Sequence, residues 1–363
     1  MRAFLREHWQ KKPLFVRNAF PGFTGLLSPD ELAGLACLED AQARLVRKVR
    51  GRFALEHGPF SERALRHLPR GPYSLLVQGV NHHLLAAEEM LGRFRFIPHA
   101  RLDDLMVSYA PRGGGVGPHV DSYDVFLLQG RGRRRWQVST QRDIRLVPGA
   151  PLRIVSNFRP TDEWVVEPGD LLYLPPQLAH NGVALEDCVT CSVGFRAPTA
   201  RELCERFLQW LPDELHAEGI YQDPDLAPSL HPAQIDAAMV RRVERLLGAI
   251  RWDRAMVARF VGQSLSEPKA HVVFSRPASP MTVAALAPAV AAAGVRLTPA
   301  SLMLCHGADF FINGERLAVP RALRPDLLAL ADDRRLPGGR GYSRPLLALL
   351  YQLYRDGFVE PGP

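Results

Sequence analysis

His119 and Asp121 stand two residues apart in Gly117-Pro118-His119-Val120-Asp121, and His180 follows after Pro175-Pro176-Gln177-Leu178-Ala179. On an extended strand, side chains two apart project to the same face, so the first pair can deliver an imidazole and a carboxylate together. The second imidazole reaches them if strands fold back over one another. Two neutral imidazoles and one carboxylate on one face of iron(II) leave three coordination positions for a co-substrate and dioxygen. A lone His-X-Asp arises by chance in many chains. Here the pair follows a glycine-rich approach, Gly113-Gly-Gly-Val-Gly117. His180 lies beyond a Pro168-Gly169-Asp170 turn and the apolar run Leu171–Leu174.

A basic run, Arg131-Gly-Arg133-Arg134-Arg135-Trp136, begins ten residues after Asp121. Strand alternation places Arg134 with Trp136 on one face and Arg133 with Arg135 on the other. One inward arginine could hold a carboxylate through two parallel, charge-assisted hydrogen bonds. The remaining arginines read as solvated edge. Other signals carry less. Gly113–Gly117 leads into a strand rather than a helix, so it is a flexible rim and not a dinucleotide loop. Cys188-X-X-Cys191 has half of a zinc spacing, with no second pair and a strand that would splay the thiols. His82, His83 and His306 have no partner at ligand spacing.

These residues need a barrel to position them. Short apolar runs at 105–109, 125–128, 136–138, 164–166, 171–174 and 189–195 alternate with Gly/Pro turns, which predicts an antiparallel sandwich or barrel. Ahead of it, Leu14–Val16 reads as a strand, and Ser28-Pro-Asp-Glu caps a helix running to Leu38. After Arg196-Ala-Pro the pattern turns helical. Thr199 caps a helix with Leu203, Phe207, Trp210 and Leu211 on one face, and Ile235, Met239, Val243, Leu246 and Ile250 repeat the spacing. The last hundred residues mix helices at 283–293, 325–330 and 345–354 with a hairpin around Asn313-Gly314. This helix-plus-hairpin unit is compatible with a winged helix. The expected division is 1–198, 199–264 and 265–363.

The chain has 363 residues, 47% hydrophobic and 23% charged, as in ordinary globular proteins. The N-terminus has no export signal, no run is long enough to span a bilayer, and five scattered cysteines fit a reducing compartment. A cytoplasmic protein is expected. The net charge of +7 could attract nucleic acid, yet no aromatic-plus-basic RNA-binding signature accompanies it.

The strings GPHVDSYDVFLLQGRGRRRW, EPGDLLYLPPQLAH and SVGFRAP resemble the bacterial Jumonji-C ribosomal oxygenases. HWQKKPLFVRNAF, SPDELAGLA, LLVQGVNHH and RLDDLMVSYA extend the resemblance over most of the chain, more weakly at its C-terminal end. It implies a double-stranded β-helix barrel, a helical dimerisation region and a C-terminal winged helix, assembled as a homodimer. It implies iron(II) as cofactor, with 2-oxoglutarate and dioxygen as co-substrates, and hydroxylation of an arginine in the sixteenth protein of the large ribosomal subunit. Position by position, His119, Asp121 and His180 match the iron ligands. Arg134 matches the arginine that binds the distal carboxylate of 2-oxoglutarate, and Ser108 a polar residue beside it. Tyr109 departs from a phenylalanine-like position, and Cys188 and Cys191 replace residues that are not usually cysteine.

An arginine substrate needs acidic company, for which Asp103, Asp104 and Asp124 are candidates. Two other readings remain open: a Jumonji-type hydroxylase of RNA or another protein, and a non-enzymatic or metal-isomerase barrel of the cupin type. Such isomerases generally use more histidines and a glutamate.

Overall fold

The computed structural model describes residues 1–49, 51–68, 71–215 and 220–362. The strands of its first 200 residues are β1 (Leu14–Val16), β2 (Gln42–Val49), β3 (Arg52–His57), β4 (Tyr73–Gln78), β5 (Leu102–Ala110), β6 (Tyr123–Arg131), β7 (Arg134–Ser139), β8 (Asp162–Val166), β9 (Leu171–Leu174), β10 (Ala179–Ala184) and β11 (Cys188–Arg196). They form an eight-stranded sheet ordered β1-β9-β6-β11-β5-β4-β2-β3 and a facing three-stranded sheet, β10-β7-β8. Neighbours are antiparallel throughout, as the turn-punctuated pattern predicts.

Alternation along the strands sorts side chains into two cores. Leu105 and Val107 of β5, with Phe126 and Leu128 of β6, pack outward under α1 (Arg2–Glu7), α2 (Pro29–Leu35), α3 (Glu62–Arg66) and α4 (Leu85–Gly92), where Phe94, Tyr173 and Phe195 join them. Leu127, Trp136, Val138, Leu172 and Leu174 instead fill the space between the sheets. Met106 and Ser108 of β5 therefore share the inward face, with Asp104 next to them at a register shift opposite Val193–Phe195, beyond which Leu102 packs in the outer core. Ser28 and Glu31 form the expected capping box of α2. That helix stops at Leu35 rather than Leu38, because Cys37 and Leu38 donate to Gly34 and Leu35 in tighter i→i+3 turns.

Three helices follow: α5 (Ala200–Glu214), opened by a Thr199–Glu202 capping box, α6 (Ala237–Gly248) and α7 (Arg254–Ser266). Beyond them α8 (Val283–Ala293), α9 (Arg324–Asp333) and α10 (Arg344–Arg355) surround two small sheets. β12 (Gly294–Leu297) lies between β16 (Arg335–Pro337) and β17 (Val359–Pro361). β14 (Asp309–Ile312) lies between β13 (Met303–His306) and β15 (Glu315–Leu317). Asn313 and Gly314 both take positive φ, as a type I′ turn requires. Among the described residues no helix is long and apolar enough to cross a membrane.

Candidate metal centre

Pro118 has no N–H to give to a ladder, and the segment carrying His119 and Asp121 is not a strand. It is extended chain held by isolated bridges from His119 to Ile154 and to His180, and β6 begins only at Tyr123. The pair thus lies where loop meets strand, and the same-face geometry holds. His119 and His180 exchange backbone hydrogen bonds of 2.9 Å in both directions, and Gln177 N–H donates to the Asp121 carbonyl at 2.7 Å. The loop before β10 is therefore fastened to the segment before β6, which brings the three side chains together.

His119 Nε2 lies 3.4 Å from Asp121 Oδ2, and His180 Nε2 lies 3.6 Å from the same oxygen. Donors about 2.1 Å from a common ion are separated by about 3 Å or slightly more, so the spacing fits one metal. Each ring is oriented from behind: His119 Nδ1 bonds the Gly117 carbonyl at 2.8 Å, and His180 Nδ1 the Leu178 carbonyl at 2.9 Å. A carbonyl only accepts, so both Nδ1 atoms carry the proton and both Nε2 lone pairs face the carboxylate. Burial, with His119 adding to it, pushes His180 down to about 4, which keeps it neutral. Burial would lower His119 too, but the Asp121 carboxylate outweighs it and raises that imidazole. For Asp121, burial is overcome by His119, His180 and Arg44, which hold the carboxyl well below its usual range. These three residues form a group able to hold a metal ion among the described residues.

Arg134 opens β7 and is only 3% exposed. Its guanidinium sits 4.8 Å over the Trp136 ring. One terminal nitrogen donates to Ser108 Oγ at 3.4 Å and Thr190 Oγ1 at 3.3 Å, and the other to the Gly182 carbonyl at 3.3 Å. Those contacts are long, its Nε has no partner, and no carboxylate pairs with it among the described residues. Burial lowers the pKa of the group, yet an arginine stays protonated in proteins. A buried cation without a counter-ion costs several kcal/mol unless an anion completes it, and a ligand carboxylate would do so.

Thr190 and Gln129 were not singled out by sequence reasoning. Ser108, Thr190 and Gln129 are cross-strand neighbours on β5, β11 and β6, and Thr190 Oγ1 donates to Gln129 Oε1 at 2.9 Å. A polar residue at an inward position of the run Cys-Val-Thr-Cys-Ser-Val was the available signal. Gly182 is obligatory, since a Cβ there would lie 2.6 Å from the Trp136 ring that supports Arg134. The glycine stretch before His119 is not the flexible rim expected. A Cβ on Gly115 would lie 2.4 Å from the Gly182 carbonyl oxygen, so that residue is there for close backbone approach.

The acids proposed as company for an arginine all have partners within the chain. Asp124, fully buried, binds Tyr173 at 2.6 Å, Gln10 at 2.9 Å and Arg101 at 3.1 Å. Asp103 meets Arg196 at 2.8 Å and Lys269 at 2.9 Å, and Asp104 meets Lys269 at 3.2 Å. Cys188 and Cys191 are buried, unpaired and in separate apolar clusters, as strand geometry anticipated.

Comparisons with known proteins agree with this geometry. Residues 89–203 match the JmjC domain family and residues 249–360 the ROXA-like winged helix. The chain is 36% identical over 361 residues to the ribosomal protein uL16 3-hydroxylase of Escherichia coli K12, covering 98% of this chain and 96% of that one. Human ribosomal oxygenase 1 is 28% identical over 197 residues, covering 49% of this chain and 29% of its own. The structure of the Escherichia coli ribosomal oxygenase YcfD with cobalt and 2-oxoglutarate superposes with a TM-score of 0.83 at 34% identity, covering 99% of this chain and 97% of that one. The chain therefore belongs to the JmjC ribosomal oxygenases, the iron(II)- and 2-oxoglutarate-dependent hydroxylases that its motifs resemble.

Proposed function

We propose that this chain hydroxylates an arginine side chain of the large-subunit ribosomal protein uL16, the substrate named for its Escherichia coli relative. His119, Asp121 and His180 would hold the iron, and Arg134, with Ser108 beside it, the distal carboxylate of 2-oxoglutarate. The observation that carries this reading is a buried guanidinium with no carboxylate partner among the described residues, inside the same barrel as a tautomer-locked His-Asp-His group. When bound, iron and 2-oxoglutarate supply oxidative decarboxylation of the co-substrate coupled to delivery of one oxygen atom to a C–H bond. The chain's own part is positional. The Gly117 and Leu178 carbonyls keep the Nδ1 protons in place, so both Nε2 atoms remain donors. Trp136 and the apolar residues between the sheets exclude water from one side of the site.

Of the three candidate acids, Asp104 is the one we assign to the substrate's guanidinium. It lies on β5, four residues or about 13 Å along the strand from Ser108. Asp124 is committed to Arg101, Gln10 and Tyr173. The proposal extends to a cytoplasmic homodimer, divided at 198/199 and 264/265. Its support is α6, which leaves Val240, Leu246 and Leu247 between 55% and 62% exposed along one helix. Covering such side chains stabilises by about 1.5–3 kcal/mol each. The test of function is intact-mass analysis of ribosomal proteins from cells with and without the gene. One oxygen atom lost from uL16 alone is the expected result, and unchanged masses for every ribosomal protein would overturn it.

A further inference from the structure

Only four of the 45 basic residues are lysines: Lys11, Lys12, Lys48 and Lys269. One of them makes the buried contact to the proposed substrate acid. Lys269 lies in the connection after α7, and its Nζ sits 2.9 Å from Asp103 Oδ2 and 3.2 Å from Asp104 Oδ2. The carboxylates are 3% and 8% exposed and the lysine 27%. Asp103 has a second cation, Arg196, at 2.8 Å, whereas Lys269 is the one cation paired with Asp104 among the described residues. Asp104 therefore has the charge pattern of an occupied receptor, with the occupant supplied by the chain itself.

We propose that Lys269 is an intrachain stand-in for the substrate's cation, which the incoming guanidinium must displace from Asp104. The inference rests on the assignment of Asp104 made above. Three features support it beyond the contact. The glycine at 194 puts no side chain over Asp104: a Cβ there would be in van der Waals contact, 3.8 Å from Asp104 Oδ1 and from the ring of Tyr123, itself two residues from Asp121. A cavity borders Lys269 on the other side, lined also by Asn81, His82, Glu88 and Arg334, so the ammonium has somewhere to withdraw. Within it Glu88 Oε1 is taken by Arg334, while Oε2 is buried without a partner. The choice of lysine fits as well. An ammonium is a flexible point charge that can leave, whereas an arginine would grip Asp104 with the same fork the substrate uses. Asp103, still neutralised by Arg196, keeps the pair from repelling itself apart during the exchange.

A competitor inside the protein lowers the apparent affinity for the substrate by the fraction of molecules in which it is seated. The experiment measures uL16 affinity on protein loaded with cobalt and 2-oxoglutarate, for wild type, Lys269→Met, Lys269→Arg and Asp104→Asn. Lys269→Met is expected to tighten binding about three- to tenfold, and Lys269→Arg to weaken it by a similar factor. Tighter binding by the arginine variant, or weaker binding by the methionine variant, would overturn the proposal. Acylation of Lys269, followed by mass spectrometry against the other three lysines, gives a readout that does not depend on a variant's folding. Adding Nα-acetyl-arginine amide should raise Lys269 reactivity, and unchanged reactivity at a concentration that inhibits turnover counts against displacement. Asp104→Asn separates the two layers. If it weakens uL16 binding while Lys269→Met fails to tighten it, the stand-in fails and the receptor stands. If neither variant changes binding, the receptor assignment falls and the stand-in with it.

Discussion

Arg134 and Asp104 are both buried charges of one barrel, and the chain treats them oppositely. Arg134 has hydroxyls, a carbonyl and an aromatic face around it but no carboxylate among the described residues. Asp104 has an ammonium at 3.2 Å, carried in from 165 residues away. A buried charge left without a counter-ion is tolerated in a native protein where a ligand completes it. A buried charge already completed cannot be distinguished from a structural ion pair by burial alone. The first points to a binding site, whereas the second needs an argument about exchange.

The contrast breaks or sharpens under substitution. The largest effect is expected outside the pair, at the group proposed to hold the metal. Asp121→Ala removes the carboxylate proposed to bind iron, and succinate production should fall by at least about a thousandfold with the fold retained by circular dichroism. Turnover within tenfold of wild type would dissociate the His-Asp-His group from the chemistry. Next, Arg134→Met should raise the 2-oxoglutarate KM about ten- to a hundredfold, since charge-assisted hydrogen bonds contribute about 1.5–3 kcal/mol. An unchanged KM would move the co-substrate elsewhere.

Stability should sort the same two charges in opposite directions. Without ligand, Arg134→Met removes an uncompensated cation and is expected to leave unfolding free energy unchanged or raised by about 1–2 kcal/mol. Lys269→Met leaves buried Asp104 without its cation, Asp103 keeping Arg196, and should cost about 1–3 kcal/mol, discounted for the partial exposure of the lysine. Denaturant titrations of the two variants decide it, and equal destabilisation would erase the distinction. The smallest effect is expected from Thr190→Val, which keeps volume but breaks the Gln129–Thr190–Arg134 chain. A severalfold rise in 2-oxoglutarate KM with kcat retained is the predicted pattern.

How far the sequence reached follows from what each residue needs. His119, Asp121 and His180 were legible because ligand type and local spacing carry most of the information. The pair's place at the loop before β6 was legible too, from the hydrophobic run that begins at Val125. Arg134 could be narrowed by alternation to one face of β7, and only the resemblance selected it from its neighbours. Its supports, Thr190 and Gln129, come from strands that become neighbours only through the order β6-β11-β5. The acids show the limit most clearly. Asp103, Asp104 and Asp124 look alike in sequence, and their difference lies in partners such as Lys269 and Gln10, which no local pattern connects to them. The glycines at 113–117 were misread for a similar reason. Flexibility and close approach use the same residue, and only the position of the Gly182 carbonyl distinguishes them.

The most direct test of the central claim is mass spectrometry of purified uL16 after incubation with the protein, iron(II), 2-oxoglutarate and air, in parallel for wild type and Asp121→Ala. One oxygen atom on a single arginine, formed with an equivalent of succinate by the wild type and by it alone, is the predicted result. Unmodified uL16 in the presence of wild-type protein that still binds metal and 2-oxoglutarate would contradict it.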